Sequence, residues 1–224
     1  MSDRAKENAA RAAVALVEDG MRLGLGTGST AEFMLHALAE RVRDGLQVSG
    51  VATSERTAKL AGSLGIPIAS LDETPELDLA IDGADEFDPD LNLIKGAGGA
   101  LLREKIVAAA ARRFVVIVDP SKRVAHLGAF PLPVEIVPMA AVPLATRLTA
   151  LGARVSLRQE ADGKAFLTDE RNYIVDCAFG EIADPPVLAA RLSAFAGVVE
   201  HGLFCGMADV VLIGRKDGVE RLER

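Results

Sequence analysis

The chain has no tryptophan, a single tyrosine (Tyr173), two cysteines and three histidines in 224 residues. With so few aromatic rings it lacks the stacking platforms on which single-stranded nucleic acid is held. Cys177 and Cys205 form no Cys-x-x-Cys pair. A disulfide framework is therefore not expected, and a reducing compartment is. His36, His126 and His201 are scattered, with no pair at the spacing of a structural zinc site. Positive charge is also short, since 25 Lys and Arg stand against 32 Asp and Glu, a net charge of −7. That balance argues against nucleic acid as the main partner. It leaves room for a small anion, which needs only a few N–H groups and a lysine or two. Long apolar runs are missing too. Ala9–Val17 is broken by Arg11, and Val107–Val118 by Arg112 and Arg113, so neither could cross a bilayer. The charged opening Asp3-Arg4-Ala5-Lys6-Glu7 has no apolar signal region behind it. Cytoplasm is the expected compartment, with no membrane partner.

What is present reads as a folded globular chain: half the residues are apolar and a quarter charged. At this length folding buries roughly 70–75% of the extended surface, enough for a full core. The first half alternates short apolar strands with helices. Helices are expected near 4–17, 30–42, 55–64 and 100–111. Strands are expected at 22–25, 47–52, 66–69, 77–81 and 114–118. This alternation predicts an α/β, Rossmann-like, mostly parallel sheet with helices on both faces, its ligand outside the C-terminal strand ends. After Phe130-Pro131-Leu132-Pro133 the order becomes βαββαβ, that of a ferredoxin-like α+β unit. The expected organisation is a Rossmann-like domain of residues 1–129 and 205–224, with an inserted subdomain at 130–204. The apolar run Asp209–Ile213 would rejoin the first sheet.

Four motifs fall where such a sheet would bind. Gly24-Leu25-Gly26-Thr27-Gly28-Ser29-Thr30 links a strand to a helix. Its glycines allow a tight turn and its helix N-terminus attracts an anion. The plain alternative is an N-cap after a turn. Ser29 stands where the third glycine of a dinucleotide fingerprint belongs, and no Gly-Lys-Ser/Thr ending makes it a P-loop. Asp82-Gly83-Ala84-Asp85-Glu86-Phe87-Asp88 puts four acids into seven residues after a buried strand. These fit a proton relay, a solvated turn or a magnesium site. Lys95-Gly96-Ala97-Gly98-Gly99-Ala100 sets a cation beside a second glycine-rich nest, the arrangement that stabilises an enediolate. In the helix that follows, Glu104 has Leu101 and Ala108 at i−3 and i+4. An exposed acid is the ordinary fate of such a residue, but an apolar flank would raise its pKa toward that of a useful base. The fourth motif, Asp119-Pro120-Ser121-Lys122, offers a surface lysine or a second arm for a phosphate.

In this order, and with Ser54-Glu55-Arg56-Thr57, the motifs closely resemble the A-type ribose-5-phosphate isomerase family. The resemblance implies interconversion of ribose 5-phosphate and ribulose 5-phosphate in the pentose phosphate pathway, through an enediol and without metal or cofactor. It implies Glu104 as the base and Asp82, Asp85 and Lys95 as the groups that open the sugar ring and stabilise charge. It places Thr27, Gly28, Ser29, Thr30 and Lys122 on the sugar phosphate, with Lys6 as a further phosphate contact. Gly83, Ala84, Gly96, Ala97 and Gly98 line the substrate in the same reading. A homo-oligomer, most simply a dimer, is implied as well. The competing classes are a non-catalytic sugar-phosphate sensor, an amino-sugar phosphate deaminase and a coenzyme A transferase.

Overall fold

In the computed structural model, which describes residues 3–224, the chain opens with helix α1 (Asp3–Val14). This helix buries Ala5, Ala9, Ala10, Ala13 and Val14 along one face. Strand β1 (Arg22–Leu25), helix α2 (Ser29–Arg43), strand β2 (Ser49–Ala52), helix α3 (Glu55–Ser63) and strand β3 (Leu79–Asp82) follow. The two-residue strands β4 (Glu86–Phe87) and β5 (Leu93–Ile94) precede helix α4 (Leu101–Ala110) and strand β6 (Phe114–Val118). Next come β7 (Leu132–Ile136), α5 (Ala141–Ala150), β8 (Arg154–Leu157), β9 (Tyr173–Ala178), α6 (Pro185–Ser193) and β10 (Val198–His201). The short β11 (Leu203–Phe204), β12 (Val210–Arg215) and β13 (Gly218–Glu223) complete the chain.

These elements fall into two units. One comprises the chain through Ala84, Arg103–Arg123 and Met207–Arg224; the other comprises Asp85–Leu102 and Val124–Gly206. The sequence places boundaries at 129/130 and 204/205, whereas the units change over at 84/85, 102/103, 123/124 and 206/207.

The first unit is a six-stranded sheet in the order β13-β12-β6-β3-β1-β2. All its pairs are parallel except β12 with β13, so the α/β, Rossmann-like reading holds. Leu23, Leu25, Leu79, Ile81, Val115, Ile117 and Leu212 share one core with Ala9, Ala10 and Ala13 of α1. The helix lies so close that a Cβ on Gly214 would strike the Ala5 carbonyl. Alanine and glycine there set the spacing. The run from β2 through β1, β3 and β6 to β12 reverses direction between β1 and β3. In open α/β sheets the crevice beyond the strand ends at such a reversal is where ligands bind.

The second unit holds an antiparallel sheet in the order β10-β7-β9-β8, built by the predicted βαββαβ order. Its core joins Leu132, Val134 and Ile136 of β7 to Leu144, Leu148 and Leu192 of the two helices. Cys177 belongs to the same core, and burial pushes its thiol up to about 12, leaving it unreactive. A second sheet, β11-β5-β4, lies in the same unit.

Three elements depart from expectation. The predicted strand at 66–69 is one bridge, Gly50 to Ile68, because Pro67 has no N–H to extend the ladder. The β4-β5-β11 sheet is built of strands too short to show alternation. Strand β13 is a charged edge strand, Gly-Val-Glu-Arg-Leu-Glu, which reads as a polar tail until its pairing is seen.

Candidate active site

In the first unit, the glycine loop and the Asp82 segment lie at the ends of the neighbouring strands β1 and β3. Asp82 is 3% exposed. Its Oδ1 accepts from the amides of Thr27 (3.0 Å) and Gly83 (2.7 Å), so one carboxylate oxygen binds both turns. Gly26 must be glycine, because a Cβ there would collide with the Asp82 carboxylate. Gly28, at φ 117°, is the N-cap of α2, and no side chain caps that helix. Ser29 lies inside the helix rather than at its cap, which removes the plain capping alternative and leaves an N-terminus suited to an anion. Lys6 from α1 donates to Ser29 Oγ at 2.7 Å. A cation and a hydroxyl thus stand together at that helix end, with Thr30 next in the helix.

Thr27, expected on the sugar phosphate, sets its hydroxyl within a cluster of other hydroxyls. Its Oγ1 lies 2.7 Å from Thr53 Oγ1 and 2.9 Å from both Ser54 Oγ and Thr57 Oγ1. Thr53 and Thr57 in turn donate to the carbonyls of Leu25 and Gly26. The hydroxyl cluster props the loop from behind.

Glu104 is 5% exposed, in the first turn of α4. Leu101 and Ala108 beside it are buried. The commoner fate of an exposed helical acid does not apply. A carboxylate in a first turn is favoured by the helix dipole, which offsets part of the cost of burying it. Lys122 closes a short 3-10 turn, Pro120–Lys122, whose N-cap Asp119 accepts from the Ser121 amide and hydroxyl.

The second unit carries the other three acids of the run. Asp85 accepts from the Ala97 amide at 2.9 Å. Glu86 is buried and accepts from the amides of Gly128 and Phe130. Asp88 is buried too, bound by the amides of Asp90 and Asn92 and by the Asn92 side chain. The four acids therefore separate: Asp82 and Asp85 pin two glycine loops, while Glu86 and Asp88 organise chain turns. Among the described residues, no group of three or more His, Cys, Asp or Glu is placed to hold a metal ion. Lys95 is 2% exposed, its Nζ 5.6 Å from the centroid of the Phe204 ring and its amide bonded to the Gly202 carbonyl. Gly96 and Gly99 both take positive φ, 110° and 79°, which shapes the loop that also carries Ala97 and Gly98.

Comparison with known proteins decides the family. The model of ribose 5-phosphate isomerase A (phosphoriboisomerase A) matches residues 49–218. The chain belongs to the ribose 5-phosphate isomerase A family. The ribose-5-phosphate isomerase A of Synechococcus sp. (strain JA-3-3Ab) is 55% identical over 226 residues, covering 100% of this chain and 98% of the relative. That of Roseiflexus castenholzii is 57% identical, covering 97% and 94%. A D-ribose-5-phosphate isomerase solved in complex with phospho-erythronic acid superposes with a TM-score of 0.97 at 41% identity, covering both chains fully. Ribose 5-phosphate isomerase A from Methanocaldococcus jannaschii gives 0.94 at 42% identity, covering 98% of each.

For this member of the ribose 5-phosphate isomerase A family, sequence reasoning misses the supporting role of two sets of side chains. One is Thr53, Ser54 and Thr57. Its signal is the cap motif Ser54-Glu55-Arg56-Thr57, in which Ser54 accepts from the Thr57 amide. The other is Arg158 with Asp176, for which no local signal exists. Among the described residues no helix is long and apolar enough to cross a membrane.

Proposed function

We propose that the chain interconverts D-ribose 5-phosphate and D-ribulose 5-phosphate through an enediol(ate), without a metal, as a cytoplasmic step of the pentose phosphate pathway. The observation that carries this reading is Glu104, a carboxylate buried in the first turn of α4 in a chain that matches the family over its whole length. In the open-chain aldose, Glu104 takes the proton from C2. The electron pair forms the C1–C2 double bond, and negative charge moves to O1. Lys95 stabilises that charge, which is worth most in a site shielded from water. Return of the proton to C1, with transfer of the O2 proton to O1, completes the ketose. No electron is gained or lost overall. Asp82 and Asp85 serve ring opening and the exchange between oxygens. Gly28, Ser29 and Thr30 with Lys6 and Lys122 hold the phosphate. The backbone of Thr27, Gly83, Ala84, Gly96, Ala97 and Gly98 lines the sugar. A homodimer is part of the proposal, and light scattering checks it.

The deciding experiment is ribose 5-phosphate turnover after exhaustive chelation. Ribulose 5-phosphate should form at an undiminished rate. Loss of activity with EDTA that magnesium restores would remove the metal-free mechanism. Tight binding without turnover would instead make the chain a sensor, and deamination of an amino-sugar phosphate would move it to another reaction class.

A further inference from the structure

The guanidinium of Arg158 is 15% exposed and forms a two-pronged pair with Asp176, itself 21% exposed. Nε donates to Asp176 Oδ2 at 2.9 Å and Nη2 donates to Oδ1. An ordinary ion pair between β9 and the residue that follows β8 would end there. Here the remaining terminal nitrogen, Nη1, donates to the carbonyls of Gly96 (2.9 Å) and Ala97 (3.1 Å). The Phe166 ring stacks near the guanidinium, 5.9 Å from its centre. That ring also fills the space where a Cβ on Gly99 would lie. The loop after Lys95 is thus gripped at 96, 97 and 99 by side chains about sixty and more positions downstream (62 for Arg158 and Gly96).

One peptide plane shows what the grip does. The carbonyl of Gly96 and the amide of Ala97 belong to the same planar, trans unit and point in opposite directions. The carbonyl receives Arg158, and the amide donates to Asp85. A cation on the oxygen polarises the unit and strengthens the bond its N–H makes to the carboxylate. We infer that Arg158, oriented by Asp176, is a positioning residue that fixes the Lys95–Gly99 loop and, through the Gly96–Ala97 peptide, aims Asp85. Arginine is required because its planar fork meets both carboxylate oxygens and still presents a donor to the loop; a lysine ammonium cannot do all three. The inference deepens the proposed function and rests on it for its kinetic consequence.

Three variants test it, with wild-type turnover of ribose 5-phosphate in the same assay. Arg158→Lys keeps the charge and should lose roughly 3- to 10-fold in kcat. Arg158→Met with Asp176→Asn removes the pair together, so no buried carboxylate is stranded. It should lose on the order of 10- to 100-fold in kcat, with KM within about 3-fold. Arg158→Ala should regain activity when guanidinium ion is added, which a general loss of folded protein would not. Hydrogen exchange of the Ala97 amide, measured without substrate, should quicken in each variant. That readout reports the clamp whatever the wild type turns over, so a failed clamp and a failed functional reading give different results. Wild-type kcat in a folded variant, or unchanged Ala97 exchange, overturns the inference. So would failure of all three variants to fold, which would make the pair a folding element.

Discussion

The two glycine-rich loops solve one problem by different means. Each is pinned by an aspartate from the same short run: Asp82 accepts from the Thr27 amide, Asp85 from the Ala97 amide. The first loop is backed by neutral hydroxyls, Thr53, Ser54 and Thr57, and its tightest demand is the missing Cβ of Gly26. The second is backed by a charged clamp, Arg158 with Asp176. The first sits at a reversal of strand order, where parallel-sheet topology itself brings two turns side by side. The second follows two-residue strands that impose little shape, so side chains from a distant hairpin supply it. Topology suffices for one loop and not for the other.

The difference can be sharpened by substitution. Among substitutions in the two loops, Lys95→Ala in the second should show the largest effect, on the order of 3 kcal/mol of transition-state stabilisation or about 10²-fold in kcat. A change confined to KM would make Lys95 a binding group only. Next in size is Gly26→Ala, which drives a methyl into the Asp82 carboxylate. It should cost about 1–3 kcal/mol of stability and roughly 10-fold in kcat/KM. Gly28→Ala is its control: no atom lies within 4 Å of the added methyl, and only the positive φ is violated. It should cost about 1 kcal/mol, read by denaturant melts of both variants. Equal losses would show that strain, and not contact with Asp82, governs the first loop.

The smallest effect lies away from both loops, in Glu135 on β7. This side chain is fully buried, and desolvation holds its carboxyl above the ordinary glutamate range. Folding therefore favours the neutral form. The contribution is fully present below the unfolded-state value and is lost as pH rises through the raised one. As pH rises from the ordinary glutamate range through the raised folded-state value, the Tm of the wild type should fall relative to that of Glu135→Gln. A Tm difference that does not change with pH would contradict the assignment.

How much of this could be read in the sequence follows from the same contrast. The parallel sheet, the ferredoxin-like order and the return of β12 were visible because apolar runs and breakers recur at the right pitch. The first loop was visible because strand, glycines and helix are contiguous. The partners of the Thr27 hydroxyl at 53, 54 and 57 show only in the packing. Glu104 could be read as a base only through its apolar flank and the family resemblance, since a helical glutamate is ordinarily exposed. The acids at 82–88 looked like one cluster, yet Glu86 and Asp88 serve chain turns. Sequence adjacency does not tell which amides will claim a carboxylate. Arg158 gave no signal, because its value comes from two loop carbonyls some sixty residues upstream.

The central claim, proton transfer by a buried helical carboxylate, is tested most directly by following the C2 hydrogen of ribose 5-phosphate in D₂O with chelated enzyme. The account predicts that solvent deuterium enters the sugar as isomerisation proceeds. It also predicts that Glu104→Gln loses about 10²–10⁴-fold in both exchange and kcat, with KM little changed. Isomerisation at the wild-type rate in that variant would contradict it.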